Sequence, residues 1–263
     1  MSENPPFKNG VWIIRSTLRR KMKQGFFEII ENVALTKDIF RMKLKGDTSA
    51  VTTPGQFINI KIGGFYLRRP ISVCDCENDI ITIIYKVVGH GTEVMAQMKE
   101  GSLDVLTGLG NGYDTALSGD KPLLLGGGVG VPPLYMLCKK LIAEGKKVTV
   151  ILGFNKREEI FYENEFKALG ADVIVTTVDG SYGVKGFVTN AMESVDYTHF
   201  YTCGPEPMLK AIFNASKTSG SLSFEERMGC GFGACMGCSC KTVTGYKRIC
   251  KEGPVLLKEE ILW

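Results

Sequence analysis

No stretch of this 263-residue chain approaches eighteen uninterrupted apolar residues, so no helix is expected to cross a membrane. The start, residues 1–10, is polar and proline-bearing, with no apolar run leading to a small-residue cleavage site. A cytoplasmic address is the expectation. Charge of one sign is also scarce: a net +4 makes no case for nucleic acid and at most a weak one for an anionic ligand. Neither an internal repeat nor a low-complexity tract is present. What remains is ordinary globular composition, 44% hydrophobic and 23% charged, over a length that suits two modest domains or one large one.

Cysteine is plentiful, at nine residues. In a reducing compartment clustered cysteines bind metal more often than they bind each other. Cys74, Cys76, Cys138 and Cys203 are dispersed, whereas five fall between 230 and 250. Cys230, Cys235 and Cys238, with Cys250 beyond them, read C-x4-C-x2-C…C, the plant-type [2Fe–2S] spacing. Such a cluster needs four thiolates on a tight loop. Gly229, Gly231, Gly233 and Gly237 remove Cβ bulk and allow the chain to curl, and the N–H groups freed by curling can reach the sulfurs. Cys240 is a fifth thiol, which the spacing leaves as a spare. A structural zinc competes, but its usual two C-x2-C pairs are not both present.

The rest of the chain divides by rhythm. Residues 1–24 form a basic extension carrying Arg15, Arg19, Arg20, Lys21 and Lys23, read mainly as a solvated tail. Over 25–120, short runs rich in Ile, Val and Phe at 26–33, 39–44, 57–62 and 80–88 predict strands, with one helix at 92–98. Strands without intervening helices imply a small antiparallel barrel or sandwich. Over 121–227, strands at 122–125, 147–152, 172–176 and 199–202 alternate with helices at 132–143, 160–169 and 207–216 and a turn or two near 188–193. That alternation predicts a parallel sheet with helices on both faces. The last segment, 228–263, would wrap the metal site.

Three further motifs carry chemistry. Leu123 to Pro133 is a strand, a glycine turn through Gly126, Gly128 and Gly130, and a helix start whose free N–H groups could take a pyrophosphate. Val131 stands where the dinucleotide fingerprint has its third glycine, so the turn alone is equally a tight connection. Cys203-Gly204-Pro205 ends another strand, the edge where open α/β sheets bind ligands; Cys203 is a pocket residue there or a plain buried thiol. Asn155-Lys156-Arg157 follows the second strand of this unit with no carboxylate first in line, leaving NAD against NADP open. In the β unit, Arg69-Pro70-Ile71-Ser72 offers a cation for phosphate and a hydroxyl for a ring atom. Tyr85-Lys86 ends a strand, and Gly91-Thr92 opens a helix. Each alone would pass for a turn.

Taken in order, Arg69–Ser72, Gly91-Thr92, the Gly126–Pro133 turn and Cys203-Gly204-Pro205 resemble the ferredoxin–NADP reductase superfamily. Glu225-Glu226-Arg227-Met228 before Cys230, and Gly253-Pro254-Val255 after Cys250, narrow the resemblance to electron-transfer subunits of NAD-dependent dihydroorotate dehydrogenase B, over roughly residue 26 to the C-terminus. The resemblance implies a β-barrel domain for FAD, a parallel-sheet domain for NAD and a small C-terminal iron–sulfur segment. It implies FAD contacts at Arg69, Pro70, Ile71 and Ser72, at Ile84, Tyr85 and Lys86, and at Gly91 and Thr92. Gly128 and Gly130 with Cys203, Gly204 and Pro205 become nucleotide contacts, and Cys230, Cys235, Cys238 and Cys250 the cluster ligands. It also implies an FMN-containing catalytic subunit as partner, in a heterotetramer of two of each, and a place in pyrimidine biosynthesis. Other iron–sulfur flavoprotein reductases, of the ferredoxin:NADP oxidoreductase or sulfide dehydrogenase type, end similarly. The absence of an obvious acid/base pair suits chemistry carried by cofactors.

Overall fold

The computed structural model describes residues 22–263; most of the basic extension, residues 1–21, lies outside the described residues. The first six strands, β1 (Lys23–Ala34), β2 (Ile39–Lys45), β3 (Phe57–Lys61), β4 (Arg69–Glu77), β5 (Ile80–Lys86) and β6 (Ser102–Leu109), close into an antiparallel barrel in the order β1-β2-β5-β4-β3-β6. Barrel, not sandwich, is the outcome. Period-2 alternation explains it: Met42 and Leu44, Ile58 and Ile60, and Ile81 and Ile83 all point into one core, which side chains fill. Each such burial contributes roughly 1.5–3 kcal/mol. Helix α1 (His90–Gln97) plugs one end with Met95. Asn32 fastens that plug, donating to the carbonyls of Met95 and Met98 at 2.7 and 2.8 Å while accepting from the Tyr85 hydroxyl at 3.0 Å.

The second unit is a seven-stranded sheet built on β7 (Pro122–Gly127), β8 (Thr149–Phe154), β9 (Asp172–Thr177), β10 (Val184–Lys185), β11 (His199–Cys203) and β12 (Gly220–Ser223), all parallel. Helices α2 (Pro133–Ala143) and α3 (Glu163–Ala168) cover one face, and α4 (Val188–Met192) and α5 (Glu206–Ala215) the other. The near-continuous apolar run Leu123, Leu124 and Leu125 is what burial on both faces requires. A hairpin of β13 (Ser239–Thr242) and β14 (Gly245–Arg248) follows. β15 (Val255–Leu257) then joins the sheet edge antiparallel to β12.

The two units share a core. Ile39, Cys74 and Ile84 on the outside of the barrel pack with Leu134, Leu137 and Cys138 of α2, and Lys139 pairs with Asp75 at 3.0 Å. Burial pushes the Cys138 thiol up to about 12, so it is a neutral packing residue.

The sequence pattern missed two barrel strands, β6 and β4, the latter because Arg-Pro reads as a turn. Pro70 is tolerated since β4 pairs with β5 only from Val73 onward, leaving the missing N–H on an unpaired side. Helix α3 is shorter than expected, starting at Glu163 after a left-handed Tyr162 (φ 66°).

Candidate functional site

The residues expected to contact flavin span β4 and the start of α1. Pro70, Ser72 and Cys74 alternate outward on β4, while Arg69 reaches across to the N-terminus of α1. Its guanidinium lies 4.8 Å over the Phe65 ring and packs against Gly91, where an added Cβ would fall 2.3 Å from Nε. A cleft of about 190 Å³ there has walls that include Phe65, Arg69, Gly89, Gly91 and Thr92. Thr92 holds the turn: its hydroxyl accepts from the Val88 N–H at 3.0 Å and donates to the Gly89 carbonyl at 2.9 Å. A cation beside helix N–H groups without intrahelical partners is a fit for pyrophosphate. Of the β5 residues, Ile84 faces the shared core, Tyr85 turns its ring into the barrel, and Lys86 pairs with Asp38 at 3.1 Å. Another hollow, about 330 Å³ and flanked by Lys121, Lys147 and Asp172, lies at the N-terminal ends of the parallel strands, away from all of these motifs. Sheets of this kind bind ligands at the other end.

At that other end, β7 and β11 are neighbours with Gly126 opposite Cys203, and strand order reverses between them. This is the topological switch point. The structure brings the glycine turn and the Cys203–Pro205 loop together there. A Cβ on Gly130 would fall 2.2 Å from the Cys203 carbonyl oxygen, so only glycine allows the approach; Gly128 takes φ 52°. Burial pushes the Cys203 thiol up to about 12, so it is a neutral wall rather than a nucleophile.

Sequence reasoning missed one carboxylate. Glu159, after a single 3₁₀ turn at Arg157–Glu159, folds back onto the end of β8 and accepts from the Asn155 side-chain amide at 2.9 Å and its N–H at 3.3 Å. The signal was the Asn-x-x-x-Glu spacing, which one turn closes. Trp263 sits 6.0 Å from Phe213 and 5.7 Å from Phe224, under Lys210. It closes the packing of the C-terminal segment on α5.

The cysteine loop lies against the outside of the barrel. Phe57, Leu106 and Leu109 pack with Cys238, Ile249 and Cys250 in one apolar cluster. The four thiols fall into two neighbouring pairs, Cys230 beside Cys235 and Cys238 beside Cys250. Backbone N–H groups aim at the sulfurs: Ala234 and Cys235 donate to Cys230 Sγ at 3.2 and 3.5 Å, and Cys250 to Cys238 Sγ at 3.4 Å. Burial opposes a thiolate at Cys230, yet the donors from Cys235, Phe232 and Ala234 outweigh it and bring the thiol down to about 6. Gly231 and Gly233 supply the positive φ, 78° and 92°, and Met236 takes 62°. Arg248 clamps the loop, donating to the Gly233 carbonyl at 2.7 Å while paired with Glu252. Asn111 at the barrel end holds the following turn through the Glu252 and Val255 carbonyls, at 3.0 and 2.6 Å.

Among the described residues no three Cys, His, Asp or Glu side chains gather as donors to one metal ion. Two pairs of thiols with N–H donors are a donor set for a two-iron cluster, two sulfurs to each iron. Cys240 stands on the β13 hairpin opposite Lys247, its thiol raised by burial. Among the described residues no helix is long and apolar enough to cross a membrane.

Comparison with known proteins agrees with this geometry. The family model for the iron–sulfur cluster binding domain of dihydroorotate dehydrogenase B matches residues 225–262, and that for the oxidoreductase NAD-binding domain matches 124–213. The chain is similar to the dihydroorotate dehydrogenase B (NAD(+)) electron transfer subunit of Fusobacterium nucleatum, 46% identical over 88% of this chain and 95% of the relative. It is 44% identical to the Bacillus pumilus protein of the same description, over 91% and 98%. Among solved structures, the NADH-dependent reduced ferredoxin–NADP oxidoreductase superposes with TM-score 0.82 at 30% identity, over 90% of both chains. A ferredoxin NADP+ reductase from Neisseria gonorrhoeae (TM-score 0.63, 18% identity, 73% of this chain and 90% of that one) shares the fold. At such identity over nearly the whole length, the chain belongs to the family of dihydroorotate dehydrogenase B electron transfer subunits.

Proposed function

We propose that this oxidoreductase subunit relays electrons from a dihydroorotate-oxidising, FMN-containing catalytic subunit to NAD+, in the pyrimidine (UMP) pathway, as part of a heterotetramer of two of each. The chemistry is supplied by FAD, which exchanges hydride with NAD and single electrons with a [2Fe–2S] cluster. The chain's own work is to hold these groups in series. Arg69 and the start of α1 grip the pyrophosphate, and Ser72 offers a hydrogen bond toward the flavin ring. Gly128, Gly130 and the Cys203–Pro205 loop form the nicotinamide end of the NAD site, with Glu159 toward a ribose hydroxyl. Cys230, Cys235, Cys238 and Cys250 carry the iron.

One observation supports the relay above all. The cysteine loop packs on Phe57 of β3, and Phe57 is the cross-strand partner of Ser72 in the flavin motif. Cluster and flavin motifs therefore sit one strand apart. On the far side of the loop Cys235 is exposed, with Phe232 and Met236 44% and 53% exposed, a suitable face for the catalytic subunit. The likeness to the ferredoxin–NADP oxidoreductase structure favours a second reading, a subunit of that enzyme type, but at 30% identity against 46% it is the weaker.

The division of labour is tested by assaying the purified chain alone and with the catalytic subunit. Alone it oxidises NADH with an artificial acceptor and makes no orotate; with the partner, dihydroorotate reduces NAD+. Orotate from the lone chain would refute it.

A further inference from the structure

The outer face of β3 and β6 that receives the cysteine loop is apolar, except at one position. Phe57, Leu106 and Leu109 pack with Cys238 and Cys250, but between them stands Asn59, only 2% exposed. Its amide donates to the Cys230 carbonyl at 3.2 Å, while its Oδ1 has no hydrogen-bond partner. A buried unpaired acceptor is costly, and Leu would fill the site without that cost. The position therefore serves the bond that the amide does make.

That bond joins two sites. Asn59 is opposite Pro70 in the β3–β4 register, and its neighbour Phe57 is opposite Ser72, so its strand backs the flavin motif. On the other side it holds the carbonyl of the first cysteine of the loop. The approach is tight: a Cβ on Gly231 (φ 78°) would fall 2.3 Å from Asn59 Nδ2. Fixing the Cys230 carbonyl sets the orientation of the curl that aims the Ala234 and Cys235 N–H groups at Cys230 Sγ.

We propose that Asn59 is the positioning residue that docks the cluster loop against the flavin-bearing strand pair and thereby sets electron exchange between flavin and cluster. This rests on reading the four cysteines as cluster ligands and Arg69–Ser72 as the flavin motif. Hydride transfer from NADH to the flavin is a two-electron step that makes no use of the Asn59 contact with the cysteine loop. The one-electron step from reduced flavin to oxidised cluster does.

The test uses the cofactor-loaded chain and its Asn59→Leu variant, mixed rapidly with NADH under anaerobic conditions. The flavin band bleaches at the wild-type rate. Bleaching of the cluster absorption slows by roughly tenfold, the bias that one lost hydrogen bond puts against the docked loop. The electron paramagnetic resonance spectrum of the reduced cluster shifts or broadens. Asn59→Gln, which keeps the amide donor, recovers part of the rate. Gly231→Ala, which crowds the same contact from the other side, reproduces the Asn59→Leu pattern. Loss of the cluster with flavin and flavin reduction retained supports the assignment as well. Unchanged cluster bleaching and an unchanged spectrum in Asn59→Leu would overturn it, and so would loss of flavin together with the cluster, which makes Asn59 a barrel residue. A wild-type chain with no iron–sulfur spectrum sinks the underlying reading instead.

Discussion

Gly91→Ala separates the flavin grip from the fold. A Cβ at this position would lie 2.3 Å from Nε of Arg69, 2.4 Å from Nη2 and 2.6 Å from Cζ, so the guanidinium must leave its place. It can do so at modest cost, being the far end of a flexible side chain whose contacts here are the Phe65 ring and the Leu67 carbonyl. Gly91 lies in the first turn of α1 and outside the left-handed region, where alanine is about 1 kcal/mol better than glycine in a helix interior and somewhat less at the end. The variant is therefore at least as stable as the parent. Flavin affinity moves the other way. A charge-assisted Arg–phosphate contact is worth roughly 1.5–3 kcal/mol, so its loss weakens FAD binding by about 10- to 150-fold. The assay is titration of deflavinated protein with FAD, followed by flavin fluorescence, alongside thermal unfolding of the same apoprotein. A Kd within about twofold of the parent at unchanged Tm would refute the role given to Arg69. A fall in Tm without a change in Kd would make Gly91 a packing residue alone.

Other perturbations read other parts. Cys240→Ser keeps the iron, because this thiol lies on the β13–β14 hairpin outside the Cys230–Cys235 and Cys238–Cys250 pairs, whereas Cys238→Ser loses it; iron analysis of the purified variants checks both. Glu159→Ala raises the KM for NADH by about tenfold, the value of one hydrogen bond to a charged group, and narrows the preference over NADPH, as initial rates with an artificial acceptor would show. Buried His199, with Nε2 3.1 Å from Ser221 Oγ, is lowered by burial from 6.5 to about 4. Its folded pKa lies below the unfolded one, so its share of stability is intact above about pH 6.5 and is lost as pH falls to about 4. By then the loss is about 3 kcal/mol, and His199→Gln flattens this limb of the Tm–pH curve relative to the parent.

The candidate cluster loop was legible because its constraint is local: thiol spacing and glycine placement are written along one short loop, from Cys230 to Cys238, to which the β13–β14 hairpin returns Cys250. The buried strand at 122–125 was legible because burial on both faces leaves an unmistakable apolar run. The glycine turn was ambiguous by itself, since what makes Gly130 necessary is the Cys203 carbonyl brought beside it from a distant strand. Strand β4 hid behind Arg69-Pro70, which only the pairing range of β5 makes acceptable. Glu159 escaped notice because it lies four residues past Asn155, and only the 3₁₀ turn at Arg157–Glu159 folds it back onto the end of β8. Asn59 was invisible for the strongest reason: its meaning depends on a loop over 170 residues later in the chain.

The central claim is that one chain holds flavin and a two-iron cluster in series, and its most direct measurement is anaerobic NADH reduction of the purified protein with cofactor analysis. The account predicts one FAD, two iron and two acid-labile sulfide per chain, and, on adding NADH, flavin bleaching followed by the paramagnetic signal of a reduced [2Fe–2S] cluster that Cys230→Ser abolishes. A colourless zinc-containing protein, or a cluster that NADH cannot reduce while the flavin is reduced, would contradict it.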